Sequence, residues 1–159
     1  MKLTVHLKRI VDDSYDIHTG VTLADAVKRL AKMKLGSKYF IITDTNVQKL
    51  YGKKLARLMN EAKLETVLLS IPSGEEYKNR QIKSLLENEL LKFNAGRDSV
   101  IIALGGGVVG DIAGFVAATP HRGVAFVQIP TTLLARVRNS FACCEICWRS
   151  PVTPVIETQ

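Results

Sequence analysis

Ser99-Val100-Ile101-Ile102-Ala103-Leu104-Gly105-Gly106-Gly107-Val108-Val109-Gly110-Asp111 is the stretch that decides how this chain folds. Val100–Leu104 is apolar without interruption, as expected of a strand buried on both faces of a parallel sheet. It runs into three glycines, and Val108–Ala118 then reads as a buried helix that tolerates glycine. Gly105, Gly107 and Gly110 satisfy G-x-G-x-x-G between that strand and that helix. Glycines there let the backbone approach a pyrophosphate, while the helix N-terminus offers free N–H groups and a positive dipole end. The motif lies about a hundred residues along the chain, and no acid follows roughly 20 residues later to hold a ribose. The Gly-Lys-Ser/Thr ending of a P-loop is also missing. The stretch therefore predicts a phosphate-cradling loop of another design, with close strand–helix packing as the competing structural reading.

Working outward, strands and helices alternate. Tyr39–Thr43 and Thr66–Ile71 are short apolar runs, and Val124–Ile129 is a third that Pro130 stops. Between them Val47, Leu50, Leu55, Leu58, Met59 and Ala62 recur at helical spacing, as do Ile82, Leu85, Leu86 and Leu90. Upstream, Leu23, Ala26, Val27, Leu30 and Ala31 form a helical pattern capped by Thr22. Leu3–Arg9 and Ser14–Thr19 read as an N-terminal hairpin. Strands alternating with helices across short connections predict an α/β fold: a Rossmann-like parallel sheet with helices on both faces. In such sheets ligands bind at the carboxyl ends of the strands. The loops there are Asp44-Thr45-Asn46, Pro72-Ser73-Gly74-Glu75, Gly105–Asp111 and Pro130-Thr131-Thr132.

The chain has 159 residues, enough for one domain, and 47% of them are hydrophobic, which excludes disordered and fibrous classes. No apolar stretch reaches the roughly 18 residues that cross a bilayer, and no signal peptide is expected, so a cytoplasmic chain is predicted. Lys plus Arg total 22 against 15 Asp plus Glu, a net charge of +7 that favours anionic partners. Ten of the bases lie between Lys28 and Lys63. Solvated helix faces are the ordinary explanation. Nucleic acid is not expected, because Tyr39, Phe40 and Tyr51 are the only aromatics there.

Each polar residue in the four loops also has an ordinary explanation. Asp44 or Asn46 can simply cap a helix. Glu75 and Lys78 suit a surface ion pair, and Thr131 and Thr132 suit turn residues. Asp111, placed in the first turn of its helix, can compensate the dipole or accept from a ligand hydroxyl. Their shared edge of the sheet, rather than any single residue, points to a ligand site.

Taken together, Thr43-Asp44-Thr45-Asn46-Val47, Pro72-Ser73-Gly74-Glu75-x-x-Lys78, Gly105–Ala117 and Arg122-Gly123-x-x-Phe126-x-Gln128-x-Pro130-Thr131-Thr132-Leu133-Leu134-Ala135 resemble 3-dehydroquinate synthase. The resemblance runs to about Val137. It implies an NAD- and divalent-metal-dependent homodimer of the shikimate pathway, with zinc or cobalt as the metal. Such enzymes convert 3-deoxy-arabino-heptulosonate 7-phosphate into 3-dehydroquinate and phosphate. It further implies that Asp44 and Asn46 hold the adenosine side of NAD and that Glu75 and Lys78 bind ribose hydroxyls. Gly106, Gly107 and Val108 would pack on the pyrophosphate, with Asp111, Thr131 and Thr132 on the nicotinamide side. Arg122 resembles an arginine that reaches a neighbouring subunit's substrate phosphate. Metal ligands would come from an all-helical C-terminal domain, which is not expected within these 159 residues.

Beyond Val137 the pattern changes. Where the resemblance implies Val-Asp-Ser-Ser and then Gly-Gly-Lys, the chain has Val137-Arg138-Asn139-Ser140 and then Ala142-Cys143-Cys144. A frameshift, a retained intron or an artificial end would each produce so abrupt a change. Residues 1–137 are thus expected to form the NAD-binding domain and 138–159 a disordered tail, making the chain a truncated, inactive fragment. Cys144-Glu145-Ile146-Cys147 has the C-x-x-C spacing but no second pair to complete a zinc site. Two other classes stay open: a non-catalytic dimerisation or regulatory module, and a related sugar-phosphate cyclase or glycerol-dehydrogenase-like enzyme.

Overall fold

The computed structural model describes residues 17–133, 135 and 152–158. Its elements, in chain order, are β1 (Ile17–Val21), α1 (Leu23–Met33), β2 (Lys38–Asp44), α2 (Thr45–Val47), a π-helical turn (Gln48–Gly52), α3 (Lys53–Glu61), β3 (Glu65–Ile71), a 3-10 turn (Glu75–Tyr77), α4 (Arg80–Lys92), β4 (Ser99–Gly105), α5 (Gly107–Ala118), a second 3-10 turn (Pro120–Arg122), β5 (Ala125–Pro130) and β6 (Val152–Thr158). The six strands form one sheet in the order β1-β6-β5-β4-β2-β3. Every pairing is parallel. The predicted fold class is what the chain adopts.

Alternation along the strands builds two cores. Phe40 and Ile42 of β2 join Ile101 and Ala103 of β4 beneath α4 and α5. Tyr39 and Ile41 join Val100, Ile102 and Leu104 on the other face, beneath α1 and α3. All seven residues of β4 are buried, because the sheet flanks it on both sides and helices cover both faces. The chain leaves β2 through α3 to β3, then returns through α4 to place β4 on the other side of β2. Right-handed crossovers in opposite directions put α3 and α4 on opposite faces. The order reverses between β2 and β4, which opens a crevice at their carboxyl ends.

Local chemistry agrees with the sequence in several places. The Thr22 hydroxyl accepts from the Asp25 amide and caps α1 as expected. Asn79 caps α4 in the same way through the Ile82 amide. Gly36 is required by a close approach, since a Cβ there would stand 2.1 Å from the Asp98 carbonyl oxygen.

Three expectations need correction. Leu50 is 66% exposed rather than inside its helix. The cause is the π-helical turn at Gln48–Gly52, whose i→i+5 bonding adds a residue to the turn and buries Gly52 instead. Leu85 also faces out, at 59% exposure. Second, within the segment expected to be a disordered tail, Val152–Thr158 forms β6, an interior strand between β1 and β5. Both of its ladders slip. From Phe126 to Gln128 β5 advances two residues, while β6 advances three from Val152 to Val155, around Pro154. Proline has no N–H for a ladder and belongs at such a bulge. On the other side β1 advances from His18 to Val21 while β6 advances only from Ile156 to Thr158. Gly20, at φ +67°, takes up that extra residue. Third, Asp111 is the fifth residue of α5, one turn past where a dipole-compensating acid acts.

Of the predicted N-terminal hairpin, the second strand overlaps β1, whereas Leu3–Arg9 lies outside the described residues. His6, Val137, Arg138 and the three cysteines also lie outside them.

Candidate nucleotide site

The four loops picked out from the sequence converge. Asp44, Asn46 and Val47 after β2, Pro72, Ser73 and Gly74 after β3, Gly106–Val109 after β4, and Thr131 and Thr132 after β5 line one cavity of about 250 Å³. It sits where the strand order reverses.

Each wall is fixed by its own hydrogen bonds. Asp44 Oδ1 accepts from the amides of Asn46 (2.8 Å) and Val47 (3.0 Å), capping α2. The capping explanation for Asp44 therefore holds, and it also fixes the carboxylate at the rim of the cavity. Asn46 Nδ2 donates to Ser73 Oγ at 3.1 Å and so joins the loops after β2 and β3. Ser73 is thus a site residue that its motif does not mark out. Nothing local marks it, because its partner lies 27 residues away. The Thr131 amide donates to the Gly105 carbonyl at 3.0 Å, linking the loops after β4 and β5. Thr132 Oγ1 accepts from the Ala135 amide at 3.3 Å.

The chemistry is concentrated at the start of α5. Gly106 is its N-cap and supplies no side-chain cap, so the amides of Gly107, Val108 and Val109 are left for an acceptor from outside the helix. Gly106 also keeps the wall thin, since a Cβ there would come within 3.3 Å of Thr132 Cγ2. Gly105 has a different duty. A Cβ on it would strike Val109 at 2.7 Å, so it secures the close strand–helix packing. The packing reading of the glycine run therefore holds at Gly105, while Gly106 leaves the start of α5 open. Thr131 Oγ1 is buried without a hydrogen-bond partner among the described residues. An orphan hydroxyl beside unused helix amides fits an anionic, hydroxyl-bearing ligand better than it fits a packed loop.

Glu75, Lys78 and Asp111 stand together. Lys78 Nζ lies 2.6 Å from Asp111 Oδ2 and 3.6 Å from Glu75 Oε1. The expected Glu75–Lys78 pair is present, and the stronger contact is the one to Asp111, whose side chain is only 14% exposed. Arg122 does not join the cluster. It lies between α5 and the start of β5, at the amino end of the sheet, in a left-handed conformation with φ +71°. His121 is exposed, with Nε2 3.0 Å from the Ala95 carbonyl. Among the described residues, no three His, Cys, Asp or Glu side chains group to hold a metal. Nor is any helix among them long and apolar enough to cross a membrane.

A parallel α/β sheet with an uncapped helix N-terminus at its switch point is the class of fold in which phosphate-bearing ligands bind at that edge. The comparisons narrow that class. Residues 68–143, just under half of the chain, match the family described as 3-dehydroquinate synthase N-terminal. The chain is 44% identical over 127 residues to 3-dehydroquinate synthase of Nitrosomonas europaea, covering 80% of this chain and 34% of that one. It is 45% identical over 139 residues to that of Thermoanaerobacter pseudethanolicus, covering 87% and 38%. The chain thus spans about a third of the length of these curated relatives. Among solved structures it is similar in fold to 2-deoxy-scyllo-inosose synthase complexed with carbaglucose-6-phosphate, NAD+ and Co2+. There the TM-score is 0.72 and the identity 24%, with 90% of this chain and 41% of that one covered. It is likewise similar to 2-epi-5-epi-valiolone synthase from Streptomyces hygroscopicus with NAD+ and Zn2+ bound. That match has TM-score 0.72 and 21% identity, covering 96% and 45%.

Proposed function

We propose that this chain is the NAD-binding region of a 3-dehydroquinate synthase, the enzyme that converts 3-deoxy-arabino-heptulosonate 7-phosphate into 3-dehydroquinate and phosphate. The observation that carries this reading is the uncapped start of α5 beside the orphaned Thr131 hydroxyl, in a cavity walled by all four predicted loops. Identities of 44–45% to dehydroquinate synthases favour that reaction over those of the related cyclases, which share the fold at 21–24%.

In this reading the amides of Gly107 and Val108 hold the NAD pyrophosphate, with Gly106 keeping the approach open. Asp44 and Asn46 bind the adenosine side, and Glu75 and Lys78 the ribose hydroxyls. Asp111, Thr131 and Thr132 hold the nicotinamide side. When bound, NAD supplies a hydride acceptor that transiently oxidises a substrate hydroxyl and so acidifies the neighbouring C–H. This chain's own contribution is to position the dinucleotide and exclude water from its backbone contacts. The described residues hold no ligand set for the zinc or cobalt ion of the full reaction, which this reading leaves to a full-length enzyme. Arg122, at the far end of the sheet from the cavity, serves a substrate phosphate only in a neighbouring subunit, so the reading includes a homodimer. A guanidinium suits that task because it binds phosphate in a bidentate manner. The reading also takes the protein to be cytoplasmic. Alone, the chain binds NAD without turnover.

Isothermal calorimetry with NAD on the folded chain is the test. Saturable heat that the Gly106→Val substitution abolishes is expected. No heat at millimolar NAD, with the fold intact by circular dichroism, would overturn the assignment.

A further inference from the structure

The π-helical turn and α3 present a surface that the nucleotide site does not use. Leu50 is 66% and Tyr51 44% exposed, both at the turn that widens the helix. Lys53, Lys54 and Arg57, in the α3 segment that continues from the turn, are exposed as well. Gly52, Leu55 and Met59, by contrast, are buried. Lys49 adds a further exposed cation beside Leu50. Arg57 is paired with Glu61 at 3.0 Å. Among the described residues, Lys49, Lys53 and Lys54 have no carboxylate within ion-pair distance.

An exposed leucine and tyrosine beside these cations offer an apolar anchor together with charges that steer a partner. We infer that this face docks a short acidic polypeptide segment carrying an apolar side chain. The apolar side chain packs between Leu50 and Tyr51, and its carboxylates face Lys49, Lys53 and Lys54. Charge complementarity selects the acidic partner. Two exposed apolar side chains suit a segment better than a whole protein face, since stable interfaces need about 800 Å² on each side. Nucleic acid fits less well, because one exposed tyrosine makes a poor stacking platform. A membrane surface fits less well, because the apolar side of α3 is spent on the core.

The test is fluorescence anisotropy on the full chain. The probe is a fluorescein-labelled peptide rich in Glu and Leu, with oligo(dT) and phosphatidylserine vesicles as rivals. The peptide is expected to bind most tightly, to weaken with added salt, and to lose about tenfold in affinity with either Leu50→Ala or the pair Lys53→Glu and Lys54→Glu. Absent peptide binding overturns the inference. So does tighter binding of oligo(dT) or vesicles, or peptide binding that Leu50→Ala leaves unchanged.

Discussion

Lys78 Nζ sits 2.6 Å from Asp111 Oδ2, so an ion pair joins the loop after β3 to the second turn of the helix that follows β4. Neither residue is among those lining the cavity, but both belong to segments that supply its walls, and the Asp111 side chain is only 14% exposed. Removing Asp111 leaves the ammonium without its nearest counter-charge and frees the loop. Asp111→Ala is expected to destabilise the fold by about 1–3 kcal/mol and to weaken NAD binding by about tenfold. Denaturant unfolding and calorimetry on the same samples check both. Unchanged NAD affinity would remove Asp111 from the site.

Adjacent glycines should respond differently to a methyl group. Gly105→Ala drives a Cβ to 2.7 Å from Val109, and overpacking of this kind costs about 1–3 kcal/mol. Gly106 has φ −82°, which any residue adopts, and its Cβ meets only Thr132 at 3.3 Å. Gly106→Ala is therefore expected to keep the melting temperature nearly unchanged while weakening NAD binding. Equal losses of stability in the two variants would argue against separate roles.

A second seam lies on the far side of α5. Lys83 Nζ lies 2.6 Å from Glu87 Oε1 and 4.9 Å from the centre of the Phe115 ring. The Thr119 hydroxyl donates to the same carboxylate at 2.8 Å. Burial pushes the Glu87 carboxyl up, but hydrogen bonds from Lys83 and Thr119 together outweigh it and hold the group below the ordinary value. A depressed carboxylate contributes stability that is complete above its unfolded value and is lost as pH falls through the folded one. The side chain is 30% exposed, so water screens part of the effect. Glu87→Gln is expected to cost about 1 kcal/mol at neutral pH. The gap from the parent chain should close on titration below about pH 4. Unfolding curves for both chains across that range check the sign.

β6 has a register break on each side and a proline at one of them. Its ladder should open more readily than that of β4, which is regular from Val100 to Gly105. Hydrogen exchange is expected to be faster in β6 and in β1 than in β4, because β1 joins the sheet through β6. Equal protection across the sheet would contradict this.

The sequence alone determined the class of fold and the edge of the sheet that carries the chemistry. Parallel strands buried on both faces must be apolar throughout, and Val100–Leu104 says so in one dimension. Glycines and polar residues at strand ends are equally local signals, so Asp44, Asn46, Gly106, Gly107 and Thr131 could be named before any coordinates. Tertiary structure decided which ordinary explanation applied to each. Periodicity places a residue on a face only while the turn keeps its period, so one π-helical turn sufficed to expose Leu50. Pairings such as Asn46 with Ser73 and Lys78 with Asp111 join segments far apart in the chain, and the sheet order brings them together. The same holds for β6. Its short apolar run carries no mark of the slot between β1 and β5, because that slot exists only once strands distant in sequence have paired.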